Sequence, residues 1–81
     1  MAGDLRARAH AIDATLRVGK RGPEAVLDEL NDQLADRDLV KVRFLRAGRA
    51  GGDVETLAAG MAEELNAGVV ETRGNTAVFH R

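Results

Sequence analysis

Twice along 81 residues a short apolar run ends in a basic, glycine-bearing turn and passes into an amphipathic helix with an acidic outer face. The first unit is Thr15-Leu16-Arg17-Val18, the turn Gly19-Lys20-Arg21-Gly22, and a helix starting at Pro23. The second is Leu39-Val40-Lys41-Val42-Arg43-Phe44, the stretch Arg46-Ala47-Gly48-Arg49-Ala50-Gly51-Gly52, and a helix behind the N-cap Asp53. Strands joined through a helix are almost always parallel with a right-handed crossover. The repeated plan therefore predicts an α/β sheet whose strands end along a common edge, the edge at which open α/β sheets bind ligands.

The remaining elements follow from periodicity. Leu5, Ala9 and Ile12 lie at helical spacing on a short first helix beginning near Asp4. Pro23 suits the first helical position, where its missing N–H would have no partner and its φ is already helical. Val26, Leu27, Leu30 and Leu34 form the apolar stripe of the second helix, which is expected to run to about Arg37. The alternation from Leu39 to Phe44 puts Val40, Val42 and Phe44 on a buried face and Lys41 and Arg43 on the other. Val54, Leu57, Met61 and Leu65 mark the third helix, with Gly68 as its expected left-handed cap and Gly60 as a sign of close packing. Val69-Val70-Glu71-Thr72 and Thr76-Ala77-Val78-Phe79 read as strands joined by a tight turn through Gly74-Asn75. The expected order is α-β-α-β-α-β-β, a single two-layer domain over residues 1–81 with a four-stranded mixed sheet. Its first three strands run the same way, and the fourth returns against the third.

The net charge of −1 hides a strong segregation. Residues 1–23 carry +3, residues 24–38 −5, residues 39–52 +4, residues 53–72 −5 and residues 73–81 +2. Acid sits on the second and third helices and base on the strands and turns between them. The predicted edge thus gathers Gly19 to Gly22, Arg46, Arg49 and Arg73. Glycines let a backbone approach a ligand, and the first N–H groups of a helix attract anions, with the amides of Gly22 and Glu24 flanking Pro23. Lys20 and Arg21 add phosphate-binding charge. By spacing alone two readings stand: a phosphate cradle, or a tight strand-to-helix turn that exposes two solvated cations.

Composition narrows the function classes. Serine, cysteine, tyrosine and tryptophan are all absent, which leaves almost no nucleophile and no thiolate metal ligand. His10 and His80 have no partner at metal-ligand spacing and read as surface histidines. An enzyme, a metal site and a cofactor are not expected. Without cysteine, a signal peptide or a membrane-spanning run, the chain is expected to be a cytoplasmic monomer with no membrane partner. Both phenylalanines sit on apolar stripes, so base stacking is not expected to supply the affinity for a nucleic acid.

Three blocks carry a family resemblance: Gly19-Lys20-Arg21-Gly22 after a short strand, Leu39 to Leu45, and Gly74-Asn75-Thr76-Ala77-Val78-Phe79-His80-Arg81. In order and spacing, over essentially the whole chain, they resemble the CRM domain of chloroplast RNA splicing and ribosome maturation, also called the YhbY-like family. The resemblance implies a fold similar to the C-terminal domain of translation initiation factor three and RNA binding through the Gly-x-x-Gly loop. It implies large-subunit ribosomal RNA, or its precursor particle, as partner for a stand-alone prokaryotic member; plant members act in intron splicing. Carried over by position, the loop supplies Gly19, Lys20, Arg21 and Gly22, and the second strand Lys41 and Arg43. Arg73 and Arg81 match as basic positions around the final hairpin. Pro23 and Glu24 depart from the neutral, amide-bearing residues expected after the loop. The alternative reading is a small regulatory module that binds an anionic metabolite or a protein at the same edge.

Overall fold

Val40, Val42 and Phe44 are buried as the alternation requires, and they lie at the centre of the sheet that the computed structural model forms. It describes residues 2–49 and 52–81, with side chains from Leu5 onward; Ala50 and Gly51 of the basic stretch lie outside the described residues. The elements are α1 (Ala2–Ala11), β1 (Ala14–Val18), a 3-10 turn (Pro23–Val26), α2 (Leu27–Asp36) and β2 (Leu39–Phe44). A second 3-10 turn (Arg46–Arg49), α3 (Val54–Leu65), β3 (Gly68–Arg73) and β4 (Thr76–His80) complete the order.

The sheet runs β1-β2-β4-β3. β1 pairs parallel with β2, while β4 is antiparallel to both β2 and β3. The first three strands therefore point the same way, as expected, but the return strand is inserted between β2 and β3. Leu16, Val18, Val40, Val42, Phe44, Ala77 and Phe79 face Leu30, Leu34, Ala58, Met61 and Ala62 of α2 and α3 in the main core. Each of the larger side chains among them, valine, leucine, phenylalanine or methionine, contributes about 1.5–3 kcal/mol by leaving water. α1 covers part of the opposite face, where Ala9 packs with Leu39 and Val78 beside Leu5, Ile12 and Val70. The rest of that face is left to Arg17, Lys41 and Arg43.

Four local expectations are revised. The second helix opens with a 3-10 turn, and α2 proper starts only at Leu27, because Val26 departs from helical geometry at φ −111° and ψ 1°. α3 ends at Asn66, not Gly68: Asn66 takes the left-handed conformation at φ 55° and its N–H bonds back to Glu63. Asparagine tolerates that region better than most residues, which frees Gly68 to begin β3. Gly60 is exposed with nothing within 4 Å of where a Cβ would sit, so it marks no close packing. Arg46–Arg49, read as part of a flexible loop, is an ordered 3-10 turn in which the Gly48 N–H donates to the Leu45 carbonyl at 2.9 Å.

Asp53 caps α3 as expected, its Oδ1 accepting from the Thr56 N–H at 2.7 Å. That bond holds the carboxyl below the ordinary aspartate value of 3.8. Because the folded-state pKa is the lower one, the cap stabilises fully above the unfolded value and is lost as pH falls through the folded value. Asp53→Ala should therefore melt below the parent at neutral pH, with the gap between the two melting temperatures closing at pH below 3.8. Thermal melts at neutral and acid pH check both halves.

Candidate nucleic-acid interface

The basic edge begins where β1 runs out. The Gly22 N–H donates to the Gly19 carbonyl at 2.9 Å, closing the turn around Lys20 and Arg21, which are both exposed. Gly22 sits at φ 84°, a conformation that L side chains rarely adopt, so the turn needs glycine there. Gly19 has no such need, since an added Cβ would make only ordinary contact with Leu45 at 3.9 Å. The Gly22 amide is consumed inside the turn, contrary to the expectation that it faces a ligand. The remaining backbone donors are the N–H groups of Lys20, Arg21 and Glu24, for which no backbone acceptor is found among the described residues. A 3-10 turn with a break at Val26 separates this loop from the first turn of α2, so the helix dipole adds little here, and the Lys20 and Arg21 side chains carry the charge.

The second turn is fastened beside the first. Leu45 N–H donates to the Val18 carbonyl at 2.9 Å, and Gly48 packs directly against that carbonyl, which brings Arg46 and Arg49 next to Gly19. From the other side, Phe44 N–H donates to the Asn75 carbonyl at 2.7 Å and draws in the β3–β4 hairpin. Leu45, 41% exposed, provides an apolar spot between the turns. All three predicted loops thus meet at one edge.

Strand register adds a residue that the sequence reading did not single out as a site. Arg17 pairs with Arg43, Arg43 with Thr76, and Thr76 with Arg73. Register partners lie side by side on one face, so these four form a row across the whole sheet, roughly 14 Å long at the usual strand spacing. Arg17, Arg43 and Arg73 are all exposed. The signal for Arg17 was present, because Leu16 and Val18 are apolar and alternation turns Arg17 outward; its neighbours become visible only through register. Lys41, half-buried, lies on the same face of β2 two residues before Arg43.

At its far end the row is anchored to α1. The Arg73 guanidinium lies 2.6 Å from His10 Nδ1, and His10 Nε2 lies 3.2 Å from a Glu71 carboxylate oxygen. A neutral imidazole with its proton on Nε2 satisfies both contacts. Arg81 is not brought to this edge. β4 runs the other way, so its end lies at the opposite side of the sheet. There the Arg81 guanidinium donates to Asn31 Oδ1 at 2.6 Å and to the Leu65 carbonyl at 3.2 Å, tying α2 to the end of α3. His80 sits nearby with Nδ1 2.9 Å from the Asp38 carbonyl. Arg81→Ala should lower the unfolding free energy by about 1 kcal/mol, the net worth of such bonds at an exposed site. Denaturant melts of the variant and its parent check this.

A family model described as the CRS1 / YhbY (CRM) domain matches residues 2–81. A protein of Methanocaldococcus jannaschii described as a probable RNA-binding protein is 35% identical over 77 residues, which cover 95% of this chain and 58% of that protein. The chain therefore spans little more than half the length of this relative. The solution structure of a hypothetical protein from Staphylococcus aureus, given as a candidate RNA-binding protein, superposes with a TM-score of 0.80 at 30% identity. It covers 99% of this chain and 82% of the other.

Proposed function

Because the chain belongs to the CRS1/YhbY (CRM) domain family, we propose that residues 1–81 act as a non-enzymatic RNA-binding domain that grips the RNA backbone at the basic edge. The family and the description of its archaeal relative point to RNA binding and away from an enzyme. The observation that supports this mode of binding is the convergence of the turns carrying Lys20, Arg21, Arg46 and Arg49 at the sheet edge beside the row Arg17, Arg43 and Arg73.

Phosphate contacts position a protein on RNA without reading sequence. The exposed guanidinium groups of the row can each take a phosphate bidentately. Arg73 does so at the cost of its contact with His10. Lys41 extends the charge along β2. Gly19, which the fold itself does not require, leaves the chain bare where a sugar or phosphate would come closest. Pro23 and Glu24 alter this cradle, not the row: the first removes a donor, and the second adds an acid at its rim. Both phenylalanines are buried, so stacking on aromatic rings does not contribute at this surface.

The acidic faces of α2 and α3 turn away from the row and disfavour binding on the wrong side. The RNA is ribosomal, in a large-subunit precursor particle, and the protein meets it in the cytoplasm as a monomer. The test is gel filtration of the pure protein with total RNA, read at 260 and 280 nm, followed by titration against ribosomal RNA at several salt concentrations. Co-elution, with log affinity falling linearly with log salt, is expected. Protein that elutes free of RNA at low salt would return the edge to the alternative reading, a binder of an anionic metabolite or a protein.

A further inference from the structure

Beside the arginine row a cleft of about 650 Å³ opens between the β3–β4 hairpin and the start of α3, and its chemistry differs from that of the rest of the edge. Its walls include Arg49, Asp53, Glu55, Thr72, Arg73 and Asn75. Two arginines and two carboxylates line it together, so a phosphate entering here would meet Asp53 and Glu55 as well. The rest of the row, Arg17, Arg43 and Thr76, carries no acid.

Several groups in the walls are already committed. Asp53 Oδ1 takes the Thr56 N–H, and Arg73 is held on His10. The second Asp53 oxygen, the exposed Glu55 carboxylate and the Asn75 side-chain amide have no hydrogen-bond partner among the described residues. The Arg49 Nε–H is sealed within the fold without an acceptor, out of a ligand's reach, while the half-buried residue as a whole lines the cleft. The cleft thus combines free acceptors, from Glu55 and Asn75, with the guanidinium groups of Arg49 and Arg73, with little net charge.

From this complementarity we infer that the cleft takes an unpaired guanine base of the bound RNA. Guanine carries two adjacent donors, N1–H and the N2 amino group, suited to one carboxylate, and two acceptors, O6 and N7, suited to arginine. Glu55 accepts from the first pair, Arg49 donates to the second, and Asn75 lies at the mouth. The volume is of the size in which nucleotide-sized ligands bind. Splayed, unpaired bases are the usual sequence signal in RNA, and edge hydrogen bonds are the means left to a surface without exposed aromatic rings. Backbone grip then comes from the row and the Gly19–Gly22 turn, and selectivity from the cleft.

The inference rests on the RNA-binding reading, and the experiment separates the two. Hairpin RNAs with identical stems and one bulged position are titrated by fluorescence anisotropy at fixed salt, the bulge being guanosine, inosine, adenosine or an abasic sugar. The guanosine hairpin is expected to bind about tenfold more tightly than the abasic one, a step of about one log unit in the dissociation constant. Inosine, which lacks the N2 amino group, should fall between them. In Glu55→Gln the ratio of guanosine to abasic affinity should collapse toward one. Equal binding of guanosine and abasic hairpins by the unmodified protein, or a full guanosine preference in Glu55→Gln, overturns the cleft assignment and leaves backbone binding intact. No binding to any hairpin overturns both.

Discussion

Replacing Lys20 and Arg21 together by alanine is expected to weaken RNA binding about 30-fold at moderate salt, which corresponds to about 2 kcal/mol. Each charge-assisted contact contributes roughly 1.5–3 kcal/mol where water is excluded, and less at an exposed turn such as this one. A second signature is independent of that magnitude. The slope of log affinity against log salt should become shallower by about 1.5, since each phosphate neutralised on a single strand or duplex contributes about 0.7–0.9. The fold should be untouched, because the turn is closed by backbone groups of Gly19 and Gly22 and neither cation is buried. A folded double variant with unchanged affinity and slope would move the grip from the turn to the arginine row. The corresponding pair Arg17→Ala, Arg43→Ala asks the reciprocal question of the row.

Gly48→Ala is expected to be the most damaging glycine-to-alanine change among the described residues. An added Cβ would lie deep inside contact distance of the Val18 carbonyl oxygen, 2.6 Å from its carbon and 2.9 Å from Val18 Cγ1. The first two of these atoms belong to backbone that is held by the Leu45 N–H and by pairing with β2, so no rotamer change relieves the overlap. The expected cost is about 3 kcal/mol or more, at the upper end for overpacking. A domain of this length has roughly 4–12 kcal/mol in total, and the melting temperature should fall by about 15 °C. Gly60→Ala supplies the contrast: exposed in mid-helix with open space around it, it should raise stability by about 1 kcal/mol through helix propensity alone. Thermal melts of both variants decide the matter, and a Gly48→Ala protein as stable as the parent would show that the Arg46–Arg49 turn does not press on β1.

These two glycines show where reading a sequence stops. Gly48 stood in a basic stretch that looked like a flexible loop, and Gly60 stood inside an apolar helix stripe that looked like a packing site; the assignments exchange once the chain is folded. Nothing within a few residues of either position records what lies across from it. Arg81 teaches the same lesson at longer range. It is a basic residue in a family-like block, yet the direction of β4 carries it to Asn31 and Leu65 at the far side of the sheet. Asn66 shows a subtler limit, since an asparagine two residues ahead of the obvious glycine takes the left-handed cap.

What the sequence determined by itself is considerable. Period-two alternation in Leu39 to Phe44, the helical stripes, the N-cap at Asp53 and the hairpin turn at Gly74-Asn75 are local signals, and each element forms, with the start of α2 and the end of α3 shifted to Leu27 and Asn66. The handedness of helical crossovers then orients the first three strands and sends three basic turns to one edge. Tertiary structure alone decided which strands are neighbours. With β4 inserted between β2 and β3, register aligns Arg17, Arg43, Thr76 and Arg73 across the face, and the same pairing opens the cleft between the hairpin and α3. Local propensity depends on residues a few positions apart. Register depends on burying Leu16, Val42, Ala77 and their neighbours against two helices at once, a condition that only the assembled core can impose.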